Sequence, residues 1–120
     1  RSMGFESELK QARATLETAG IAVEASVEAP RLSAMQESVF ALALREAVTN
    51  VVRHAHASFC RLTFRQDGRF CELEIADDGR GGCAQDGSGL SGMRERVEAL
   101  GGMLERDGSR GTLLRIRVPV

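Results

Sequence analysis

The chain has 120 residues, 42% of them hydrophobic and 28% charged, with a formal net charge of -1. That is the size and balance of one soluble globular domain with a real core. Near-neutral charge and the lack of an aromatic series leave no footprint for nucleic acid, while no apolar run approaches the roughly 20 residues of a membrane helix and no signal peptide opens the sequence, so a cytoplasmic setting without membrane contact is expected.

Phe5, Leu9, Ala12, Leu16 and Ala19 recur at helical spacing, and Gly20 marks the helix end. The stretch from Ile21 to Val27 alternates like a strand, and Pro30 closes it. Ser33 followed by Gln36 is a capping-box start for a long helix, whose apolar stripe (Phe40, Ala43, Leu44, Ala47, Val48, Val51) carries the pattern to about His54. Two alternating runs, Phe59 to Arg65 and Phe70 to Ala76, meet at Asp67-Gly68, a hairpin signal. Leu62 and Phe64 are expected inside, opposite Leu73 and Ile75. Arg61 and Arg65 are expected to face water, paired with Glu72 and Glu74.

A loop from Gly79 to about Gly87 leads to a helix from Gly89 to Leu100, with Met93, Val97 and Leu100 inside and Gly101 as its stop. A final hairpin turns at Asp107-Gly108, with Leu114, Ile116 and Val118 inward and Arg115 and Arg117 outward. The order α-β-α-β-β-α-β-β predicts an α/β (α+β) two-layer sandwich, a mixed and largely antiparallel sheet with three helices on one face. Of the three cysteines, Cys60 and Cys71 fall on apolar strand positions and read as core residues in a reducing compartment, while Cys83 sits in a glycine-rich turn. Their odd number and scatter, with two histidines, speak against a zinc site.

Glu46 and Asn50 are four apart and share one helix face, with Arg53 and His54 a turn further on. Asparagine is a poor helix-interior residue, and a magnesium ion would explain it: Mg2+ takes oxygen ligands, keeps several waters and completes its shell with phosphate oxygens. On that reading the Asn50 carbonyl ligates, Glu46 orients a water, and Arg53 and His54 reach phosphates. The same stripe also reads as a solvated helix edge.

Asp77-x-Gly79-x-Gly81 ends a strand. A carboxylate there can accept the exocyclic amine of adenine and reject guanine, although a polar turn has the same composition. Gly87-x-Gly89-Leu90 places a glycine turn at a helix N-terminus, where free N–H groups suit phosphate. Although it matches G-x-G-x-x-G, no strand runs into it, which rejects a dinucleotide fold. The short, polar stretch 82–86 suits a cover over a nucleotide. Gly111-Thr112 offers a hydroxyl with close backbone approach. The single lysine, Lys10, lies far from every glycine turn, which removes the P-loop and protein-kinase templates.

In this order, the four stretches resemble the ATP-binding domain of bacterial sensor histidine kinases, in the GHKL superfamily that also holds gyrase and MutL. Glu46-x-x-x-Asn50 with Arg53-His54 is similar to the family's asparagine box, Asp77-x-Gly79-x-Gly81 and Gly87-x-Gly89-Leu90 to its first two glycine boxes, and Gly111-Thr112 to its last. The run from Gly89 to Gly102 and the helix from Glu8 to Gly20 resemble the subfamily of nitrate and membrane-fluidity sensors.

The resemblance implies a Bergerat-type fold, ATP and Mg2+ as cofactors, and γ-phosphoryl transfer to a histidine on separate phosphoacceptor and dimerisation helices, with a response regulator downstream. His54 and His56 both belong to the end of the asparagine-box helix and neither precedes an acid, so the acceptor domain is expected outside this sequence. The isolated domain is expected to be monomeric and cytoplasmic, a setting that also suits the cytoplasmic end of a membrane-bound sensor. The alternative is a regulatory module of the same superfamily, an anti-sigma-factor-like serine kinase or a partner-binding domain without transfer.

Overall fold

A computed structural model of the chain describes residues 4–28, 32–79, 88–109 and 111–120, with the backbone alone at 54–55 and 88–91. The elements follow as α1 (Phe5–Thr18), β1 (Ala22–Val27), α2 (Ala34–Asn50), a π-helical turn (Val51–Ala55), β2 (Phe59–Asp67), β3 (Phe70–Asp77), α3 (Ser88–Ala99), β4 (Met103–Asp107) and β5 (Thr112–Pro119). This is the expected order of helices and strands. The sheet order is β1-β2-β3-β5-β4. The β1–β2 pair is parallel, joined through α2; the other three pairs are antiparallel.

Local signals account for where the helices begin and end. Ser33 Oγ accepts the Gln36 N–H at 3.1 Å while Gln36 Oε1 accepts the Ser33 N–H at 2.8 Å, a complete capping box. The Gln36 amide also donates to the Pro119 carbonyl at 3.0 Å, fastening the start of α2 to the end of β5. The N-terminus of α1 has no cap of its own; Glu37 of α2 supplies one, its carboxylate accepting the Phe5 N–H at 3.0 Å, where the helix dipole favours negative charge.

Helices α1 and α3 end alike. Ile21 N–H reaches Leu16 O at 2.9 Å and Gly20 N–H reaches Glu17 O at 3.0 Å; Gly102 and Gly101 repeat this on Val97 and Glu98 at 3.0 and 2.9 Å. This Schellman arrangement needs a left-handed residue, met by Gly20 at φ 83° and Gly101 at φ 79°.

Strand alternation sends Cys60, Leu62, Phe64, Cys71, Leu73, Ile75, Leu114, Ile116 and Val118 to the helix side, all buried. Leu62 pairs with Ile75 and Phe64 with Leu73, as the hairpin pattern predicts. Every residue of the expected α2 stripe is buried. At the centre, Phe64 stacks on Phe5 with ring centroids 4.1 Å apart and meets Phe40 edge-on at 5.1 Å, so α1, α2 and β2 share one aromatic junction.

The outer face departs from expectation in two ways. Arg61 lies opposite Ala76 and makes no cross-strand ion pair with Glu72 or Glu74, because its register partner is apolar. Glu72 is not in water: it is 7% exposed. Arg65 at 3.0 Å and Arg115 at 3.2 Å reach its carboxylate, and Arg117, lying over the Phe70 ring, stands at 3.8 Å. The long arginine stems cover the acid they neutralise. The last hairpin leaves β4 at Asp107, where the sequence places its turn; Asp107 Oδ1 accepts the Ser109 N–H at 2.9 Å, and Gly111 carries a positive φ before β5.

Replacing Phe40, fully buried at the aromatic junction, by alanine is expected to lower stability by about 3–5 kcal/mol. Ser33→Ala removes one cap and is expected to cost about 1 kcal/mol. Urea unfolding followed by circular dichroism checks both values and their order.

Candidate functional site

Asp77 ends β3 on the helix-facing side, in phase with Cys71, Leu73 and Ile75, and is 7% exposed. Its Oδ1 accepts the Gly79 N–H at 2.8 Å. Burial pushes the carboxyl above its ordinary range, the N–H groups of Gly79 and Thr112 pull it partly back, and the neighbouring Asp78 charge adds to the rise. Across the ladder stands Cys60, whose thiol is pushed up to about 12, first by burial and then by the charges of Asp77 and Asp78. Cys60 and Cys71 are fully buried, as the sequence predicts.

Thr112 pairs directly with Asp77. Gly111, at φ 67°, lies so close to β3 that a Cβ there would run into the Asp77 backbone carbonyl. Only glycine meets both demands. Asp77, Gly79 and Thr112 are therefore brought together by the β3–β5 ladder and the turn that follows it.

Glu46 and Asn50 lie a turn apart on α2, both half-buried, beside the buried Ala47, Val48 and Val51. The α-helix ends at Asn50, and residues 51–55 continue as a π turn. Arg53 and His54 thus belong to a π turn rather than to the continuous α-helix of the sequence reading. Arg53 is exposed, and the side chain of His54 lies outside the described residues. His56 closes the turn in a left-handed conformation, φ 52° and ψ 44°. Gly89 and Leu90 fall in the first turn of α3, consistent with a helix N-terminus at that motif. Gly81, Gly87, Cys83 and the stretch 82–86 lie outside the described residues.

One residue beside the expected set has a marked role. Asp78 accepts the Ser58 N–H at 2.8 Å, the Ser58 hydroxyl at 2.7 Å and the Phe59 N–H at 2.9 Å. These bonds, the Ser58 hydroxyl foremost, hold its carboxyl below the usual range. The only trace of this in the sequence is a serine just before a strand, twenty residues from the acid.

Glu46 and Asn50 have no side-chain hydrogen bond or ion pair among the described residues, where no group of three or more His, Cys, Asp or Glu side chains could hold a metal. That donor set fits magnesium bound by one carbonyl together with phosphate oxygens and waters, and does not fit an all-protein cage.

The sign of the Asp77 shift has a consequence for stability. Its folded-state pKa lies above the unfolded one, so ionising it costs stability, a cost that appears as pH rises above 3.8 and is complete above the folded pKa. Asp77→Asn, which keeps an acceptor for Gly79 and Thr112, is expected not to lower the melting temperature at neutral pH. Thermal unfolding at pH 7 checks this, and a clear fall would make the charge structural.

The family model for the histidine kinase-like ATPase domain matches residues 6–114. The chain is 37% identical over 92 residues to the sensor histidine kinase DesK of Bacillus subtilis (strain 168), covering 73% of this chain and 25% of that protein. It is 38% identical over 109 residues to the signal transduction histidine-protein kinase/phosphatase UhpB of Salmonella typhimurium, covering 87% and 22%. The chain thus spans about a quarter of the length of the curated relatives it matches. Its fold is shared with the histidine kinase domain of the Erythrobacter litoralis EL346 blue-light activated histidine kinase, at a TM-score of 0.81 and 22% identity over 95% of this chain and 59% of that one. The fold, the motif order and the match over nearly the whole length agree: this chain belongs to the histidine kinase-like ATPase domain family.

Proposed function

We propose that the domain binds ATP with magnesium and presents the γ-phosphate to a histidine on separate dimerisation helices, as the catalytic part of a two-component protein-histidine kinase. The observation that carries this reading is the buried Asp77 carboxylate, braced by backbone at the helix-side end of β3 in a chain of this family. Among the described residues this buried acid has backbone N–H partners and no ion pair, so a ligand that donates a hydrogen bond suits it, as the exocyclic amine of adenine does. Guanine presents an acceptor at the same place and leaves the charge unpaired. The relatives named as sensor histidine kinases weigh for this reading over a serine kinase of the same superfamily.

In the proposed site Gly79 and Gly81 admit the base, and Thr112, paired with Asp77 across the ladder, offers its hydroxyl to the purine edge. The Asn50 carbonyl holds the metal, Glu46 orients a metal-bound water, and Arg53 and His54 reach phosphate oxygens. The turn of Gly87, Gly89 and Leu90 offers free N–H groups at the start of α3. Magnesium, when bound, neutralises charge on the phosphates. The domain's own work is positioning: it holds the nucleotide in line and leaves proton transfer to the acceptor domain. A response regulator would take the phosphoryl group onward.

Calorimetry is expected to show binding of ATP or ADP with magnesium and far weaker binding of guanine nucleotides, with Asp77→Asn weakening the adenine complex. Equal affinity for ATP and GTP would remove Asp77 from base recognition. Asn50→Ala is expected to abolish transfer to an added acceptor domain with an unchanged circular dichroism spectrum, since losing the metal ligand raises the barrier by several kcal/mol. Labelled ATP is expected to leave the domain alone unlabelled. Acid-labile phosphate on His54 or His56 would contradict the donor-side role of this helix end.

A further inference from the structure

Asn50, at the end of α2, and Asp77, at the end of β3, stand on separate elements. The proposed site needs the metal end and the base end of one nucleotide to be met at once, so something must fix the end of α2 relative to the end of β3. From Asn50 the chain leaves α2 through the π turn 51–55 and His56, and reaches Ser58 and Phe59 at the start of β2. There Asp78 takes hold of it. Its Oδ1 accepts both the Ser58 and the Phe59 N–H, its Oδ2 accepts the Ser58 hydroxyl, and its own N–H donates to the Phe59 carbonyl at 3.2 Å.

Four hydrogen bonds thus join one residue to two consecutive ones, three of them to a carboxylate, the stronger kind. Asp78 adjoins Asp77, whose Oδ1 is held by Gly79. The two acids of the doublet divide the labour: Asp77 turns to the helix side, and Asp78 closes on the strand start behind it. Asp78 itself is exposed, so it contributes nothing to the hydrophobic core, and water can replace its bonds at small cost to the fold.

We propose that Asp78 is a positioning residue that sets the exit of the Asn50 helix against the Asp77 turn through its clamp on Ser58 and Phe59, so that base and phosphate subsites are spaced for one nucleotide. This rests on the proposed nucleotide-binding function. A clamp of this kind acts on ligands that span both subsites and spares ligands that fill one. Displacement of a helix end by a fraction of an ångström misplaces a metal ligand, while the base, read by Asp77 and its own turn, is still recognised.

The test compares Mg-ADP, which spans the site, with adenosine, which fills only the base end, by titration followed by amide chemical shifts in the isolated domain. Asp78→Ala is expected to weaken Mg-ADP about tenfold, the scale of one lost charge-assisted bond, and adenosine less than about twofold. Asp78→Asn, which keeps an acceptor for the two backbone N–H groups, is expected to recover most of the Mg-ADP affinity. Ser58→Ala removes only the hydroxyl bond and is expected to show the same split, about two- to threefold for Mg-ADP; it decides the matter if Asp78→Ala does not fold. Equal losses for both ligands would make Asp78 merely structural and overturn the proposal, as would no loss for either. A wild-type domain that binds neither ligand would instead overturn the nucleotide-binding function on which the proposal rests.

Discussion

Strand alternation puts every second residue of β3 on the helix side, and the run Cys71, Leu73, Ile75 ends on Asp77. An acid at the last inward position of a central strand is costly, because burial penalises its charge. The surroundings lower that cost only in part: the N–H groups of Gly79 and Thr112 point at the carboxylate, yet its pKa still stands above the ordinary range. The fold therefore keeps a buried ionisable group at the end of a central strand. Gly111 and Thr112 on β5, and the turn at Gly79, make sense as the frame of that group.

Such a site needs a rigid floor, and the core supplies it. The Phe5–Phe64–Phe40 junction locks α1 and α2 over β2, and α2 in turn carries Glu46 and Asn50 to the same side of the sheet. The opposite face is managed differently. Glu72, Glu74, Arg65 and Arg115 neutralise one another there, so among the described residues a layer of paired charge with arginine stems over it covers that face of the sheet. One face is spent on packing and the site, and the other on staying solvated.

What the sequence made legible was local. The capping box at Ser33 and Gln36, the α2 stripe, the Asp67-Gly68 hairpin and the glycine stops each depend on residues a few positions apart, and each stands where the pattern places it. What it hid was set by partners distant along the chain. The parallel pairing of β1 with β2 is decided across the whole of α2. The burial of Glu72 depends on arginines from β5, and the role of Asp78 depends on Ser58. The π turn leaves no sequence signal because Val51 keeps the apolar period while the backbone winding widens beneath it. The candidate site was legible as a set of residues, with Asp77, Gly79 and Thr112 found together. Its turn from Asn50 to Arg53 was not, since winding leaves no mark in composition.

The central claim is that the Asp77 carboxylate awaits the amine of an adenine base while the end of α2 holds the metal and phosphates. A crystal structure of the domain grown with ADP and magnesium measures this directly. The account predicts the exocyclic amine about 2.9 Å from the Asp77 carboxylate, Thr112 beside the base, and the Asn50 carbonyl in the coordination shell of a magnesium ion on the phosphates. An adenine base bound away from Asp77, or a nucleotide whose phosphates leave Asn50 untouched, would contradict it.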